Sequence, residues 1–518
     1  QAYQNVGYRL DLDTASTPAA DPEGIAGYRV DYNNDGTWDT GVRLPDGTPA
    51  PDFTADPAWT YTTAGSQTIK VEIRDTNVPP DTSVCDLAVT VAAGAMVTLD
   101  PLPVPGGINW DHGSDSASAV STSPVVLVAA PTGGDVYHAV YRAVGAIGLN
   151  VYRSTDGGQT WPGPGNPVPL FANGLYTTSG TAYSLGLLAN GLPALAIRDG
   201  GSDLTYIAAQ SEAGGTINWG GTTAGVEIEP NGTWVQPVVL PHPTNANRVY
   251  IVSQNQSSTS AGPNVRMISL WLSTNGASAN PTFTLLPTNA DTTDGGASTE
   301  FNIRAAMDSA GNIHVAWLPN ARNTMIYRRW IDDGSATGGS WAGPETVIGT
   351  AQPTGVTNPM GETMIAVNAS NEPAVAWSDE DPAANPTPGS EAIYLTKYSA
   401  ATGWSTPLQV SNTITSIADS ASAPNITFDA VGRIHVVWQS NRAGTSIDEI
   451  WGSVLNPTGT VELVNDFVIL SAPDSTMDFS SLGRNVYSPS INKVLVNSVV
   501  SWAAPDGRSR YRLYQTTP

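Results

Sequence analysis

Ile303-Arg304-Ala305-Ala306-Met307-Asp308-Ser309-Ala310-Gly311-Asn312-Ile313-His314-Val315-Ala316-Trp317 reads as a strand, a tight turn and a second strand ending in tryptophan. Alternating apolar positions flank a cluster of turn-forming residues. Two further stretches repeat it. They are Ile365-Ala366-Val367-Asn368-Ala369-Ser370-Asn371-Glu372-Pro373-Ala374-Val375-Ala376-Trp377 and Ile426-Thr427-Phe428-Asp429-Ala430-Val431-Gly432-Arg433-Ile434-His435-Val436-Val437-Trp438. A looser copy starts near Ser488-Pro489 and is expected to close at Trp502, so the tryptophans lie 60, 61 and 64 residues apart. Weaker copies centre on residues 136–141, 193–197 and 249–252. A third strand follows each pair, as at 325–330 and 393–398, and in several copies a Trp-led fourth, as at 341–347 and 404–410.

That makes seven units of four strands. A sheet this small cannot bury both faces alone, whereas sheets packed radially cover one another, with the tryptophans supplying much of the apolar area. A unit of about 60 residues is too short for a row of sandwiches and too long for β-helix rungs. The expected fold is therefore all-β: a β-propeller of four-stranded blades over 96–518, with seven blades and six as the alternative count. After Tyr511-Arg512-Leu513-Tyr514 only four residues remain, so the last unit lacks its fourth strand. Met96-Val97-Thr98-Leu99 or Ile108-Asn109-Trp110 could fill the gap and remove two open sheet edges.

Composition agrees with short strands and many turns. Of 518 residues, 13% are charged, while glycine (51) and proline (40) are abundant. The formal charge of −24 repels phosphate backbones, which argues against nucleic acid as a partner. No apolar run reaches the roughly 18–20 residues of a membrane-spanning helix. Cys85, the single cysteine, can form no intrachain disulfide. A start at Gln1 fits either a removed signal peptide or an arbitrary boundary.

Residues 1–95 read as a separate β-sandwich, with alternating stretches at 28–32, 68–73 and 87–91. Asp21-Pro22-Glu23-Gly24-Ile25 leads into Tyr28-Arg29-Val30-Asp31-Tyr32-Asn33-Asn34-Asp35-Gly36-Thr37-Trp38-Asp39, and Trp59 to Val71 ends at Arg74-Asp75. These stretches resemble the polycystic-kidney-disease (PKD) domain, an Ig-like sandwich, and the resemblance implies a spacer or adhesive unit. Asp31, Asn33 and Asp35, followed by Gly36, also have the alternating oxygens that open a calcium loop. Its twelfth position is Val42, where a bidentate Glu is needed, so a polar hairpin turn is the simpler reading. No cofactor is required; calcium is the one candidate.

Ser154-Thr155-Asp156-Gly157-Gly158-Gln159-Thr160-Trp161 matches the Asp-box, S-x-D-x-G-x-T-W, and Ser273-Thr274-Asn275-Gly276 looks like a degenerate copy. The segment from about 97 on is thus similar to sialidase-like (BNR-repeat) propellers. In that family Ser154, Asp156, Gly158 and Trp161 would be structural, away from any active site. The family's carboxylate clamp starts from an Arg-Ile/Leu-Pro triplet. Here the only such triplet is Arg43-Leu44-Pro45, before the propeller.

Ligands of propellers sit where the innermost strands begin, which places Glu300, Arg304 and Glu362 as candidate catalytic residues. Two carboxylates there could serve as acid and base in glycoside chemistry, or they could be solvated strand-end charges. His314 and His435 hold equivalent repeat positions, which points to a shared packing role. His138 with Tyr141 or Arg142 could form the His/Tyr pair of propeller polysaccharide lyases. The sequons at Asn231, Asn255, Asn368 and Asn425 arise readily in a Ser/Thr-rich chain.

These features describe a secreted or cell-surface non-enzymatic module for adhesion, surface assembly or glycan recognition. Its partner would be an extracellular glycan or a surface protein, within a larger surface protein or assembly. The alternative is a carbohydrate-active enzyme, a divergent glycoside hydrolase or a polysaccharide lyase, with its site at the propeller mouth.

Overall fold

The computed structural model describes residues 2–3, 7–8, 25–31, 34–38, 59–60, 65–75, 82–92, 96–99, 126–142, 148–161, 166–168, 182–198, 204–220, 225–229, 237–257, 265–286, 301–319, 324–350, 362–380, 391–411, 421–440, 449–470, 477–478, 484–499, 501–502 and 509–517. All regular structure among them is strand. The chain divides into two compact units, 1–98 with 516–518, and 99–515. In the smaller unit, Gly65–Asp75 lies between Ile25–Asp31 and Thr82–Ala92, antiparallel to both, and Ala2–Tyr3 joins the far side of Thr82–Ala92 in parallel.

Beyond residue 125 the described residues build two two-stranded ladders and seven sheets with a main path of four strands, one of them completed by a strand from before that point. Their first strands are Val126–Ala129, Ala182–Leu187, Val238–Pro241, Phe301–Met307, Thr363–Val367, Ala421–Phe428 and Arg484–Ser488, which define sheets I to VII. Each first strand lies against the next, and that of sheet VII lies against that of sheet I. These strands therefore form a closed inner ring. The fourth strand of sheet VII is Met96–Leu99, one of the two candidates, ordered after Ser509–Thr517. The other, 108–110, lies outside the described residues.

One turn, repeated, explains why the first two strands pair in the same register. In sheet IV the Asp308 carboxylate accepts the Ala310 and Asn312 amides at 2.9 and 2.8 Å. In sheet V Asn368 accepts those of Ser370 and Glu372 at 3.0 and 2.9 Å. In sheet VI Asp429 accepts those of Val431 and Arg433 at 3.1 and 2.9 Å. Gly311, Asn371 and Gly432 hold the fourth turn position at φ 87°, 63° and 84°, a left-handed conformation suited to Gly or Asn. Counting from these turns, Trp317, Trp377 and Trp438 fall at one register position, and all three are buried. Asn497 holds that position in sheet VII. The expectation that Trp502 closes this copy is thus corrected: it lies five residues further on, in a separate ladder with Met477–Asp478.

Apolar clusters fill the gaps between sheets: Leu149, Val151 and Leu195 between I and II, Ala196 and Ile251 between II and III, Leu270 and Val315 between III and IV, Ala376 and Val436 between V and VI. Val136 and Trp161 of sheet I meet Leu495 and Leu513 of sheet VII, which seals the ring. Each fully buried Val, Ile or Leu contributes about 1.5–3 kcal/mol over its exposed state. The packing between sheets therefore stabilises the ring that no sheet could hold alone.

Candidate functional site

The two ends of the ring differ in chain economy. At one end lie the short turns joining first to second strands and the links joining third to fourth strands. The Asp-box turn is of this kind. Asp156 accepts the Ser154 hydroxyl at 2.7 Å and the Thr160 amide at 2.8 Å, while Ser154 Oγ accepts the Gly158 amide at 2.8 Å. Burial raises the Asp156 pKa, but the hydrogen bonds from Thr160 and Ser154 outweigh it and hold the carboxyl below its usual range. Gly157 and Gly158 are left-handed, at φ 81° and 93°, and Trp161 is buried beneath.

The turn after sheet III's third strand has the same bonding. Ser273 donates to Asn275 Oδ1 at 3.0 Å, the Thr282 amide donates to that oxygen at 2.8 Å, and the Gly276 amide reaches Asn247 O at 2.7 Å as Gly157 reaches Gly134 O at 2.7 Å. Both turns are closed by internal hydrogen bonds, and among the described residues neither presents a metal-binding cluster.

At the other end the first strands begin and the longer connections gather. Glu300 lies outside the described residues. Arg304 is the fourth of the seven residues of sheet IV's first strand and Glu362 directly precedes that of sheet V, and the fold brings them near enough for the charge of Glu362 to act on Arg304. Nη1 of Arg304 donates to Ile303 O at 2.9 Å. Burial lowers the guanidinium's pKa, and the charge of Glu362 acts in the opposite direction. Protein surrounds Arg304, yet it keeps partial access to solvent, as does Glu362. The Glu362 carbonyl accepts the Ser378 amide at 3.1 Å, extending the ladder of sheet V to the rim.

Three features at this end were not singled out from sequence. Asp379, 3% exposed, lies one residue beyond Ser378. Sheets IV and VI carry the same β-bulge: Asn302-Ile303 face Trp317 alone, and Ala423-Pro424 face Trp438 alone. Sheet V is regular there, Thr363 pairing with Trp377. Bulges of this kind re-aim the residues beside them. The residues that follow, Arg304 and Asn425, hold equivalent positions, and Ala423 is left-handed at φ 57° without being glycine. Counting back from the two tryptophans would have aligned Arg304 with Asn425, but nothing in composition marks a bulge.

The remaining candidates serve the framework or lie outside view. His314 is buried, with Nε2 3.3 Å from Asp308 Oδ2 and Nδ1 2.7 Å from Tyr327 Oη. His435 repeats this with Asp429 at 3.3 Å and Tyr514 at 3.0 Å. Each histidine braces the second oxygen of the carboxylate that caps its hairpin turn. His138, Tyr141 and Arg142 lie on the second strand of sheet I, and their side chains are outside the described residues. In the smaller unit, the buried Asp31 accepts the Asp35 and Gly36 amides at 3.2 and 3.0 Å, and Asp35 accepts that of Thr37 at 2.7 Å. Asn33 is outside the described residues.

No protein family and no curated protein matches the chain. Solved structures do. An ulvan lyase of polysaccharide lyase family PL25, bound to -[GlcA(1-4)Rha3S]-, is 12% identical over 79% of this chain and 97% of its own, with a TM-score of 0.52. The larger unit is a β-propeller. At that identity the likeness establishes the fold alone. The polysaccharide lyase Uly1 (10% identity, 80% and 94% coverage, TM-score 0.45) and a fucose-specific lectin from Aleuria aurantia (13%, 67% and 99%, 0.35) are looser matches and carry no argument.

Proposed function

We propose that this protein is an extracellular or cell-surface recognition module that binds glycans at the loop-rich end of its propeller without turning them over. The observation that carries the reading is the meeting of Arg304 and Glu362 on neighbouring innermost strands, partly open to solvent. A guanidinium offers fixed donors and a carboxylate offers acceptors, which together match the hydroxyls of a sugar ring. Residues 1–95, with their PKD-like stretches, would act as a spacer, and calcium is not needed for this role. The scaffold also suits the task, because propellers host recognition and catalysis alike and function lies in the site.

A second reading, a glycoside hydrolase or polysaccharide lyase, is favoured by one observation. Glu362, partly open, and Asp379, buried, lie at the same end of sheet V, and acid–base chemistry on a glycan needs two such carboxylates.

A glycan array, followed by reducing-sugar and unsaturated-product assays on the glycans retained, separates the two. Binding without turnover, weakened in Arg304→Ala, supports the recognition module. Turnover that disappears in Glu362→Gln or Glu300→Gln overturns it in favour of the enzyme. Absence of both leaves a role in surface assembly or protein adhesion.

A further inference from the structure

His314 and His435 hold the same register position, yet they reach different blades. In sheet IV the hydroxyl 2.7 Å from His314 Nδ1 belongs to Tyr327 of the same sheet. In sheet VI the hydroxyl 3.0 Å from His435 Nδ1 belongs to Tyr514, on the third strand of sheet VII. One residue makes the difference. Tyr327 pairs with Ala316, just before Trp317; its counterpart in sheet VI, paired with Val437 just before Trp438, is Gly452. A Cβ at Gly452 would lie 2.8 Å from Ile469 Cδ1 and 3.1 Å from Val436 O, so no tyrosine fits there. Tyr514 supplies the hydroxyl from the next blade instead, its ring edge-on to Phe467 of sheet VI at 5.4 Å. The same histidine is held a second time from sheet VII, where Asn485 Nδ2 donates to His435 O at 3.0 Å.

The bonding fixes which ring nitrogen carries hydrogen. Hydrogen bonds from His435 and Arg433 keep the Asp429 carboxyl ionised, so Nε2 of His435 is the donor facing Oδ2 at 3.3 Å. Nδ1 is then bare and accepts the Tyr514 O–H. Burial pushes the Tyr514 pKa up, so the hydroxyl keeps its proton. A proton added to Nδ1 turns it into a donor, and the hydroxyl hydrogen must leave the gap between them. The new charge would also be poorly matched. Asp429 Oδ2 already accepts Arg433 Nε at 2.6 Å, and Tyr487 of sheet VII, the other titratable group at this carboxylate and guanidinium, is neutral when protonated. His435 itself is fully buried, and burial holds its pKa below the ordinary 6.5.

We propose that His435 is an acid-sensitive latch on the seam between sheets VI and VII, closed while its ring is neutral and released locally when the ring takes up a proton. This device is independent of what binds at the propeller mouth. The closed seam disfavours the proton, whereas the open one exposes a histidine that titrates near its ordinary value. The open population should therefore rise about tenfold between pH 7.5 and 5.5.

Hydrogen exchange of the whole chain, followed by mass spectrometry at both pH values and corrected for intrinsic rates, tests the latch. Each measurement is repeated in sub-denaturing urea, which speeds exchange through global unfolding and barely affects a local opening. Ile434–Ser440, Arg484–Ser488 and Ser509–Thr517 should exchange about tenfold faster at pH 5.5, with little response to urea. Ala182–Leu187 and Val249–Ser257 serve as the reference, because the seam between sheets II and III is bridged by Tyr206 Oη donating to Gly276 O, without a histidine. They should exchange more slowly and depend on urea. His435→Gln should abolish the acid response of the seam, and His314→Gln, whose triad lies within one sheet, should leave it intact. Seam strands that are as slow and as urea-dependent as the reference at pH 5.5, or that do not respond to acid, overturn the latch. So does an acid response that survives in His435→Gln or disappears in His314→Gln. If His435→Gln does not fold, Tyr514→Phe replaces it: seam exchange should already be faster at pH 7.5 with the reference unchanged, and parent-like seam exchange overturns the proposal.

Discussion

Arg248 and Asp332, 84 residues apart, form a two-pronged clamp between sheets III and IV: Nε and Nη2 donate to the two carboxylate oxygens at 2.7 and 2.6 Å. Nη1 donates to Ser335 O at 2.8 Å, and Nη2 also meets Tyr250 Oη at 2.8 Å. Only 6% and 2% of the two side chains are exposed. Neighbouring blades are therefore tied by a planar fork as well as by apolar contact.

Asp332→Ala strips the carboxylate from a buried guanidinium. The expected loss is roughly 3–5 kcal/mol, the usual cost of breaking a buried pair by removing one partner. Urea unfolding measures it, and a loss under about 1 kcal/mol would show the clamp to be incidental.

Acid should destabilise the protein in two stages. Burial lowers the His435 pKa below its ordinary 6.5 despite the adjoining Asp429 carboxylate, so the unfolded chain takes up that proton first and stability falls below about pH 6.5. Burial raises Asp429, but hydrogen bonds from His435 and Arg433 prevail and bring it to about 2. Its contribution, of about 2 kcal/mol, is complete above the unfolded value of about 3.9 and is lost as pH falls towards 2. Thermal unfolding from pH 8 to 3 should show the first stage flattened in His435→Gln. A melting temperature that does not change between pH 7 and 5 would count against this account.

The two Asp-box-like turns differ in one capping atom. Asn275 Oδ1 takes the Thr282 amide and the hydroxyls of Ser273 and Thr282, whereas Asp156 spreads the same kinds of bond over two oxygens. Asn275→Asp should stabilise by about 0.5–1 kcal/mol, since charge-assisted bonds to a carboxylate are stronger. Asp156→Ala should cost about 1–2 kcal/mol and leave glycan binding unchanged. Reduced binding in Asp156→Ala at full occupancy of the folded state would contradict the structural role of this turn.

Ser253 is fully buried on the second strand of sheet III, and its hydroxyl has no hydrogen-bond partner among the described residues. Ser253→Ala removes that unsatisfied group at little cost in packing, so it should raise stability by about 1 kcal/mol. A fall in melting temperature would place an unseen partner on the hydroxyl.

The sequence by itself determined the repeating hairpin and hence the all-β ring. Asp308, Asn368 and Asp429 each cap their own turn from within five residues, and the left-handed position follows at Gly311, Asn371 or Gly432. Such local chemistry is written in the order of residues. It also determined the Asp-box turn, and it singled out Arg304 and Glu362, which the fold brings near each other. What it could not determine was register beyond the turn. Trp502 looked like the next member of the tryptophan series, yet the ladder puts Asn497 there, because strand pairing is counted from the turn and not from the residue type. The bulges opposite Trp317 and Trp438 were likewise decided only in three dimensions. They arise where two residues must face one partner across the sheet, and they select Asn425, a residue that no motif marks, as the equivalent of Arg304. The pairing of Arg248 with Asp332 has the same origin: a contact across 84 residues exists only once neighbouring blades have packed.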